Sequence, residues 1–164
     1  MTNYYIIPIA ALIPLAVGFV WYNPKVMGTA WMNATGMTEE KAKETNMVKV
    51  FGLSILFALM LAMSMQFLVI HQVHLKSMFF KQPIDDPSTE MGALYKSVMD
   101  KLGTGYRTFK HGAFHGTICA LFIVLPVLGT NALFEGKSFK YIGINVGYWL
   151  ICFMLMGGVI SAFL

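Results

Sequence analysis

The sequence predicts an all-α membrane protein with four transmembrane helices and short amphipathic helices lying in the interface in the first and second loops. Hydrophobic residues make up 57% of the 164 residues and charged residues only 12%, whereas soluble domains are nearer half apolar and a quarter charged. Asp, Glu, Lys and Arg are absent from four runs, residues 4–22, 50–73, 111–134 and 141–164. Each run is long enough for a helix to cross a hydrocarbon core of about 30 Å.

With their flanks, the predicted spans cover residues 4–22, 48–73, 108–134 and 141–164 of a single domain, residues 1–164. The first run is expected to be a retained span, because a cleaved signal peptide has a basic segment before its apolar core. No basic residue precedes this run, and Trp21 and Tyr22 close it like an interfacial aromatic belt.

Both long loops contain helix signals. In the first loop, Asn23 is a suitable N-cap, Pro24 suits the first helical position and Gly36 can end the helix. Thr38 is a further N-cap, from which a helix is predicted to run without a break into the second span. In the second loop, Ser88 or Thr89 can cap a helix whose apolar residues recur at helical spacing up to the "GTG" at 103–105.

Rows of small residues predict how the spans pack, since helices in lipid associate by close backbone approach and interhelical hydrogen bonds. The rows are Ser54, Ala58 and Ala62; Gly112 and Gly116; and Gly143, Gly147, Gly157, Gly158 and Ser161. They fit a compact four-helix bundle and equally a homo-oligomeric interface. Asn131 and Asn145 flank the last short loop, and a hydrogen bond between them is predicted.

Four histidines lie at the ends of two spans. His71 and His74 close the second span, and His111 and His115 open the third. A helical hairpin brings all four to one side of the membrane, and spacings of i,i+3 and i,i+4 place each pair on about one helix face. This pattern suits shared coordination of a metal ion such as zinc.

Nearby carboxylates add to the metal hypothesis. Asp85, Asp86 and Glu90 of the second loop can join or orient the ligands. Axial ligation of haem by one histidine from each helix is an alternative, with Gly112 and Gly116 making room for the ring. Interfacial or interhelical hydrogen bonding explains the four histidines without any ligand.

Charge bears on partners and orientation. The net charge is +4, but the basic residues lie in loops and are mixed with carboxylates. This is ordinary for membrane proteins, so no nucleic-acid partner is expected. No basic residue precedes the first span and Lys25 follows it, which favours a cytoplasmic first loop and both termini outside.

Several mechanisms are disfavoured. The four apolar runs within the spans contain no carboxylate and no basic residue, so a proton relay of the usual kind would have to use the histidines. The sequence also has no Gly-rich phosphate loop, nucleophile elbow or Cys-based metal motif.

The segment "GFVWYNPKVMGTAWM" at residues 18–32, together with "KHGAFHG" and the four-span layout, resembles the bacterial membrane proteins grouped as domain of unknown function 1761. The resemblance extends over nearly the whole chain. It implies a four-helix protein of the bacterial inner membrane, and it transfers no catalytic or binding residues.

Three functions remain open from the sequence. The first is a non-enzymatic membrane component that self-associates or joins a larger complex in the bilayer, with no cofactor. The second is a metal- or haem-binding membrane protein that uses His71, His74, His111 and His115. The third is a small-solute permeation protein built on the proline-containing first and third spans.

Overall fold

The computed structural model describes residues 3–164, apart from the side chain of Glu39, and these residues form helices and turns without a strand. The predicted all-α class is therefore confirmed. The helices are α1 (Ile6–Trp21), α2 (Pro24–Thr35), α3 (Glu39–Glu44), α4 (Met47–Val69), α5 (His71–Met78), α6 (Glu90–Leu102), α7 (Phe109–Phe134) and α8 (Phe139–Phe163).

Three of these helices, α4, α7 and α8, are long and apolar enough to cross a membrane. Helices α1 and α2 meet at a bend of 60°, and as one broken unit they make up to a fourth span. The structure therefore gives three to four candidate spans.

Helix α1 runs along most of α8. At one end the backbone N–H of Asn3 donates to the carbonyl of Leu164 at 3.1 Å. At the other end Nε1 of Trp21 donates to the carbonyl of Ile144 at 3.1 Å. The two acceptor residues, Ile144 of α8 and Leu164 directly after it, are about 30 Å apart along the helix axis, the thickness of a hydrocarbon core.

The predicted helix of the first loop is present as α2. The Asn23 side chain accepts from the N–H of Lys25 at 3.0 Å, as an N-cap does. A Cβ on Gly28 would overlap the backbone around Tyr22, so the tight bend requires glycine there. Gly36 ends α2 with φ +69, a left-handed conformation that glycine adopts without a steric penalty.

The prediction that one helix runs unbroken from Thr38 into the second span is wrong. Thr38 does cap α3, but that helix ends at Glu44 and the backbone of Thr45 is extended. A new helix starts because the Asn46 side chain accepts from the N–H of Lys49 at 3.0 Å. Asn46 is an N-cap signal that competes with helix continuation.

The second span ends earlier than its apolar run. Helix α4 stops at Val69, Ile70 is extended, and His71 begins the separate helix α5. The predicted helix of the second loop is present as α6, and Thr89 rather than Ser88 caps it by accepting from the N–H of Gly92 at 3.1 Å.

The small-residue rows of α7 and α8 pack against each other within one chain. A Cβ on Gly112 would overlap the carbonyl oxygen of Gly157, and a Cβ on Gly116 would overlap that of Phe153. Ala58 and Ala62 of α4 are buried in the core that α1 and α8 also line. Gly112, Gly116, Ala58 and Ala62 therefore pack within the chain, whereas Ser54 is exposed and a Cβ on Gly143 would meet nothing within 4 Å.

The predicted Asn131–Asn145 hydrogen bond is wrong. Nδ2 of Asn145 donates to the carbonyl of Tyr141 at 2.8 Å. Its Oδ1 accepts from the hydroxyl of Tyr22 at 3.2 Å. Asn145 therefore ties α8 to the end of α1 and not to α7.

Candidate metal centre

Three of the four histidines converge at the end of the bundle that holds both described chain ends. One ring nitrogen from each of His71, His111 and His115 lies within 4.8 Å of the others. The Nε2 atoms of His71 and His111 are 2.9 Å apart. The ring centroids of His111 and His115 are 4.5 Å apart, and that of His71 is 5.0 and 5.2 Å from them.

Helix α7 supplies two of these histidines from its first turns. Thr108 is the N-cap, and its side chain accepts from the N–H of His111 at 3.2 Å. His115 follows one turn later on the same face. Gly112 and Gly116 hold this part of α7 against the backbone of α8, so the two imidazoles are mounted on a closely packed helix pair.

Helix α5 supplies the third histidine, and a neighbouring glutamine holds it in place. The break at Ile70 redirects the chain immediately before His71. The Gln72 amide then donates to the carbonyls of Leu102 and Gly105 at 2.8 and 2.9 Å. These two hydrogen bonds to the turn after α6 fix the start of α5. No sequence pattern indicated Gln72.

Tyr106 covers part of the histidine cluster. Its ring centroid is 5.0 Å from that of His111 and 5.8 Å from that of His71. Its φ of 64° is left-handed, which is costly for a side chain with a Cβ. Its carbonyl accepts from the N–H of Thr108 at 2.9 Å and from the hydroxyl of Ser161 at 3.4 Å. Sequence reasoning missed this residue.

Arg107 anchors the same turn to the end of α8. Its Nε donates to the carbonyl of Ser161 at 2.8 Å, which satisfies one of the carbonyls left free at a helix end. Partial burial lowers the pKa of Arg107 from its usual value, although guanidinium stays charged at any physiological pH. The turn before α7 is thus fixed by two bonds to α8.

The remaining predicted ligands lie apart from the cluster. A ring nitrogen of His74 hydrogen-bonds the carbonyl of Phe67, so His74 lies apart from the other three histidines. The Asp86 carboxylate accepts from the N–H and hydroxyl of Ser88 at 2.9 and 2.6 Å, which lowers its pKa. Within residues 3–164, the group of potential metal ligands contains no carboxylate, so Asp85, Asp86 and Glu90 do not join it.

The space that the haem hypothesis assigned to two glycines is filled. Gly112 and Gly116 both face the backbone of α8, where even a methyl group would overlap carbonyl oxygens. A porphyrin cannot enter between these helices without separating them. The geometry therefore suits a single ion better than a haem.

Three imidazoles without a carboxylate define the chemistry of the cluster. Imidazole suits zinc, copper and nickel, whereas magnesium and calcium prefer oxygen ligands. Three protein ligands leave a fourth position of a tetrahedral ion open to water or an anion.

Comparison with known proteins adds a family but no activity. The family model described as "Protein of unknown function (DUF1761)" matches residues 6–161. No curated protein and no solved structure matches the chain.

Proposed function

Because this chain belongs to that family, whose description assigns no activity, we propose its function from the histidine geometry. The protein binds one divalent transition-metal ion, with zinc as the first choice, through His71, His111 and His115. The observation that supports this is the approach of three ring nitrogens from two helices to within 4.8 Å of one another. Zinc–nitrogen bonds of about 2.0–2.1 Å need these nitrogens to be about 3.3 Å apart, so only small movements of the rings are required.

The local electrostatics tolerate a cation. The N-terminus of α7 has a partial positive charge that opposes a cation by about 0.3–1 kcal/mol. Structural zinc sites bind with about 10–16 kcal/mol. The binding free energy of zinc is far larger than the repulsion from the helix N-terminus. His71 is also exposed to solvent, which weakens that repulsion further.

The site belongs to a membrane setting in this proposal. Helix α1 is taken as a fourth crossing because it extends along α8 from Leu164 to Ile144. The histidines then lie on the side of both chain ends. With the charge bias around the first span, this side is the outer face of a bacterial inner membrane.

A zinc titration with matched histidine variants tests the proposal. Protein stripped with a chelator should bind one zinc per chain, and His111→Ala or His115→Ala should weaken binding by at least about tenfold. His74→Ala is the matched control, since His74 bonds to Phe67 and not to the cluster; its affinity should stay within about twofold. Equal losses in His74→Ala and His111→Ala, or well under one zinc per chain, would refute the site.

A second candidate is a non-enzymatic component that self-associates or joins a larger complex. It is supported by α4: only 11% of its apolar 18-residue segment is buried by the rest of the chain, against 44% of the corresponding segment of α8. A partner helix on α4 would cover that face. Mass measurement of the purified protein in mild detergent tests this: a dimer or larger assembly supports it, and a lone monomer at every concentration argues against it.

A further inference from the structure

A groove of about 690 Å³ opens between α1, α2, α4 and α8 at the end of the bundle away from the histidines. Ser54 of α4 lines it, and Val69, two residues before His71, lies about 22 Å from Ser54 along the α4 axis. Its volume lies within the range of about 300–1,000 Å³ that small-molecule sites occupy. The groove is therefore separate from the proposed metal centre and large enough for a ligand.

Aromatic rings form half of the groove wall. Seven of its fourteen lining residues are Phe, Tyr or Trp, and they come from all four helical segments. Phe19 lies on α1, Trp31 on α2, Phe51 and Phe57 on α4, and Trp149 on α8. Such a wall favours a flat ring, because aromatic pairs gain about 0.5–1.5 kcal/mol beyond their buried area.

Long-range hydrogen bonds hold part of this wall in place. The Tyr148 hydroxyl donates to the carbonyl of Pro14 at 2.9 Å. The Tyr22 hydroxyl donates to Oδ1 of Asn145 at 3.2 Å. The ring of Trp31 packs edge-on against the ring of Tyr22, with 5.5 Å between the ring centroids. The site is thus pre-formed, as ligand pockets usually are.

Three hydroxyl groups give the groove a polar part. Tyr22 and Tyr148 have already used their hydrogens within the protein, so each retains acceptor capacity only. Ser54 differs from Ser64 on the same helix. The Ser64 hydroxyl donates to the carbonyl of Met60 at 2.9 Å, whereas Ser54 makes no such bond among the described residues.

A second cavity, between α1 and α4, differs from the groove in composition. It measures about 290 Å³ and is lined by aliphatic residues and Pro8, without an aromatic ring or a hydroxyl. A lipid acyl chain needs no more than such an aliphatic wall. The rings and hydroxyls of the larger groove therefore indicate a different occupant.

We propose that the larger groove binds a flat, membrane-soluble ring that bears a hydroxyl group, a phenol-type ligand. The ring stacks among Phe51, Phe57 and Trp149. Its hydroxyl donates to a phenolic oxygen of Tyr22 or Tyr148 and accepts from Ser54. The ligand enters from the bilayer, because α1 and α4 both line the groove and both are candidate membrane helices.

The test compares two probes that differ by one hydroxyl. 4-Decylphenol and decylbenzene are titrated into the full-length protein in lipid nanodiscs, and tryptophan fluorescence is followed, since Trp31 and Trp149 line the groove. Saturable binding of 4-decylphenol about fivefold tighter than that of decylbenzene is expected, because one hydrogen bond is worth about 1 kcal/mol.

Variants locate the effect. Ser54→Ala should remove most of the preference for the phenol, whereas the matched Ser64→Ala should keep it. Phe57→Leu should weaken both probes, and zinc binding should be unchanged in all three variants. Equal binding of the two probes would show a groove for any apolar chain and overturn the proposal. A phenol preference that Ser54→Ala leaves unchanged, or affinities for both probes that Phe57→Leu leaves unchanged, would overturn it as well.

Discussion

The two ends of the helical bundle are built differently. At the end with the histidines, polar groups converge and the backbone is strained: both non-glycine residues with positive φ among residues 3–164, Lys81 and Tyr106, lie there. At the groove end, positive φ occurs only at Gly36 and Gly136, where it costs little. Strain that is tolerated without glycine is typical of functional sites. The contrast supports a site that must hold its ligands in a set geometry.

The histidine cluster and the groove also differ in how far apart in the sequence their residues lie. His111 and His115 are one turn apart, and only His71 comes from elsewhere. The groove depends on bonds such as Tyr22–Asn145 and Tyr148–Pro14, which join residues 123 and 134 positions apart. Changes that act at one end should therefore leave the other intact.

The largest effect is expected from Gly112→Ala. A Cβ there would overlap the carbonyl of Gly157 and the side chain of Ser161, so α7 must move away from α8 at a cost of about 2 kcal/mol. Zinc binding should weaken as well, since His111 and His115 move with α7. Gly143→Ala is the control, because nothing lies within 4 Å of its added Cβ. Thermal unfolding in detergent measures both; a Gly112→Ala protein as stable as Gly143→Ala would contradict the packing described.

Gln72→Ala should act at the histidine end only. It removes both hydrogen bonds to the turn after α6, so His71 loses its fixed position and zinc affinity should fall by about tenfold. Gln66→Ala is the matched control, since the Gln66 amide donates to the carbonyl of Met63 in its own helix at 2.9 Å. Zinc titration compares them. Indistinguishable affinities would mean that Gln72 does not position His71.

Asn145→Leu should act at the groove end only. The loss of its bond to the Tyr22 hydroxyl should lower stability by about 0.6 kcal/mol, the average for interhelical hydrogen bonds in membranes. Zinc affinity should not change. Unfolding and zinc titration are measured on the same preparation, and a tenfold loss of zinc affinity would show that the two ends are coupled.

The smallest effect is expected from Lys81→Gly. Lys81 has φ 63°, and glycine removes that steric cost while it adds freedom to the unfolded chain. A net gain of about 0.5 kcal/mol is expected. Lys76→Gly within helix α5 should instead lose about 1 kcal/mol. A loss of stability in Lys81→Gly would show that its conformation is not strained.

The sequence predicted what depends on local spacing. The helical class, the caps at Asn23 and Thr89, and the close approach at Gly112 follow from patterns within a few residues. The break at Asn46 was missed because an apolar helix was expected to continue through a polar cap. The Asn131–Asn145 hydrogen bond was inferred from proximity along the chain. Asn145 instead accepts from the hydroxyl of Tyr22, which is far from it in the sequence.

The candidate site shows the same limit. The i,i+4 spacing of His111 and His115 indicated a shared face, and that pair does converge. His74 follows His71 by three residues and was expected to share its face, but a ring nitrogen of His74 hydrogen-bonds the carbonyl of Phe67 instead. Tyr106 and Gln72 act through turns, whose conformations no periodic pattern encodes.

Zinc-edge X-ray absorption of the zinc-loaded protein tests the central claim most directly. The account predicts a shell with three imidazole nitrogens at about 2.0–2.1 Å and one further light ligand. His115→Ala should lose one imidazole from that shell, and His74→Ala should lose none. A shell of oxygen ligands, or one with fewer than two imidazoles, would contradict the account.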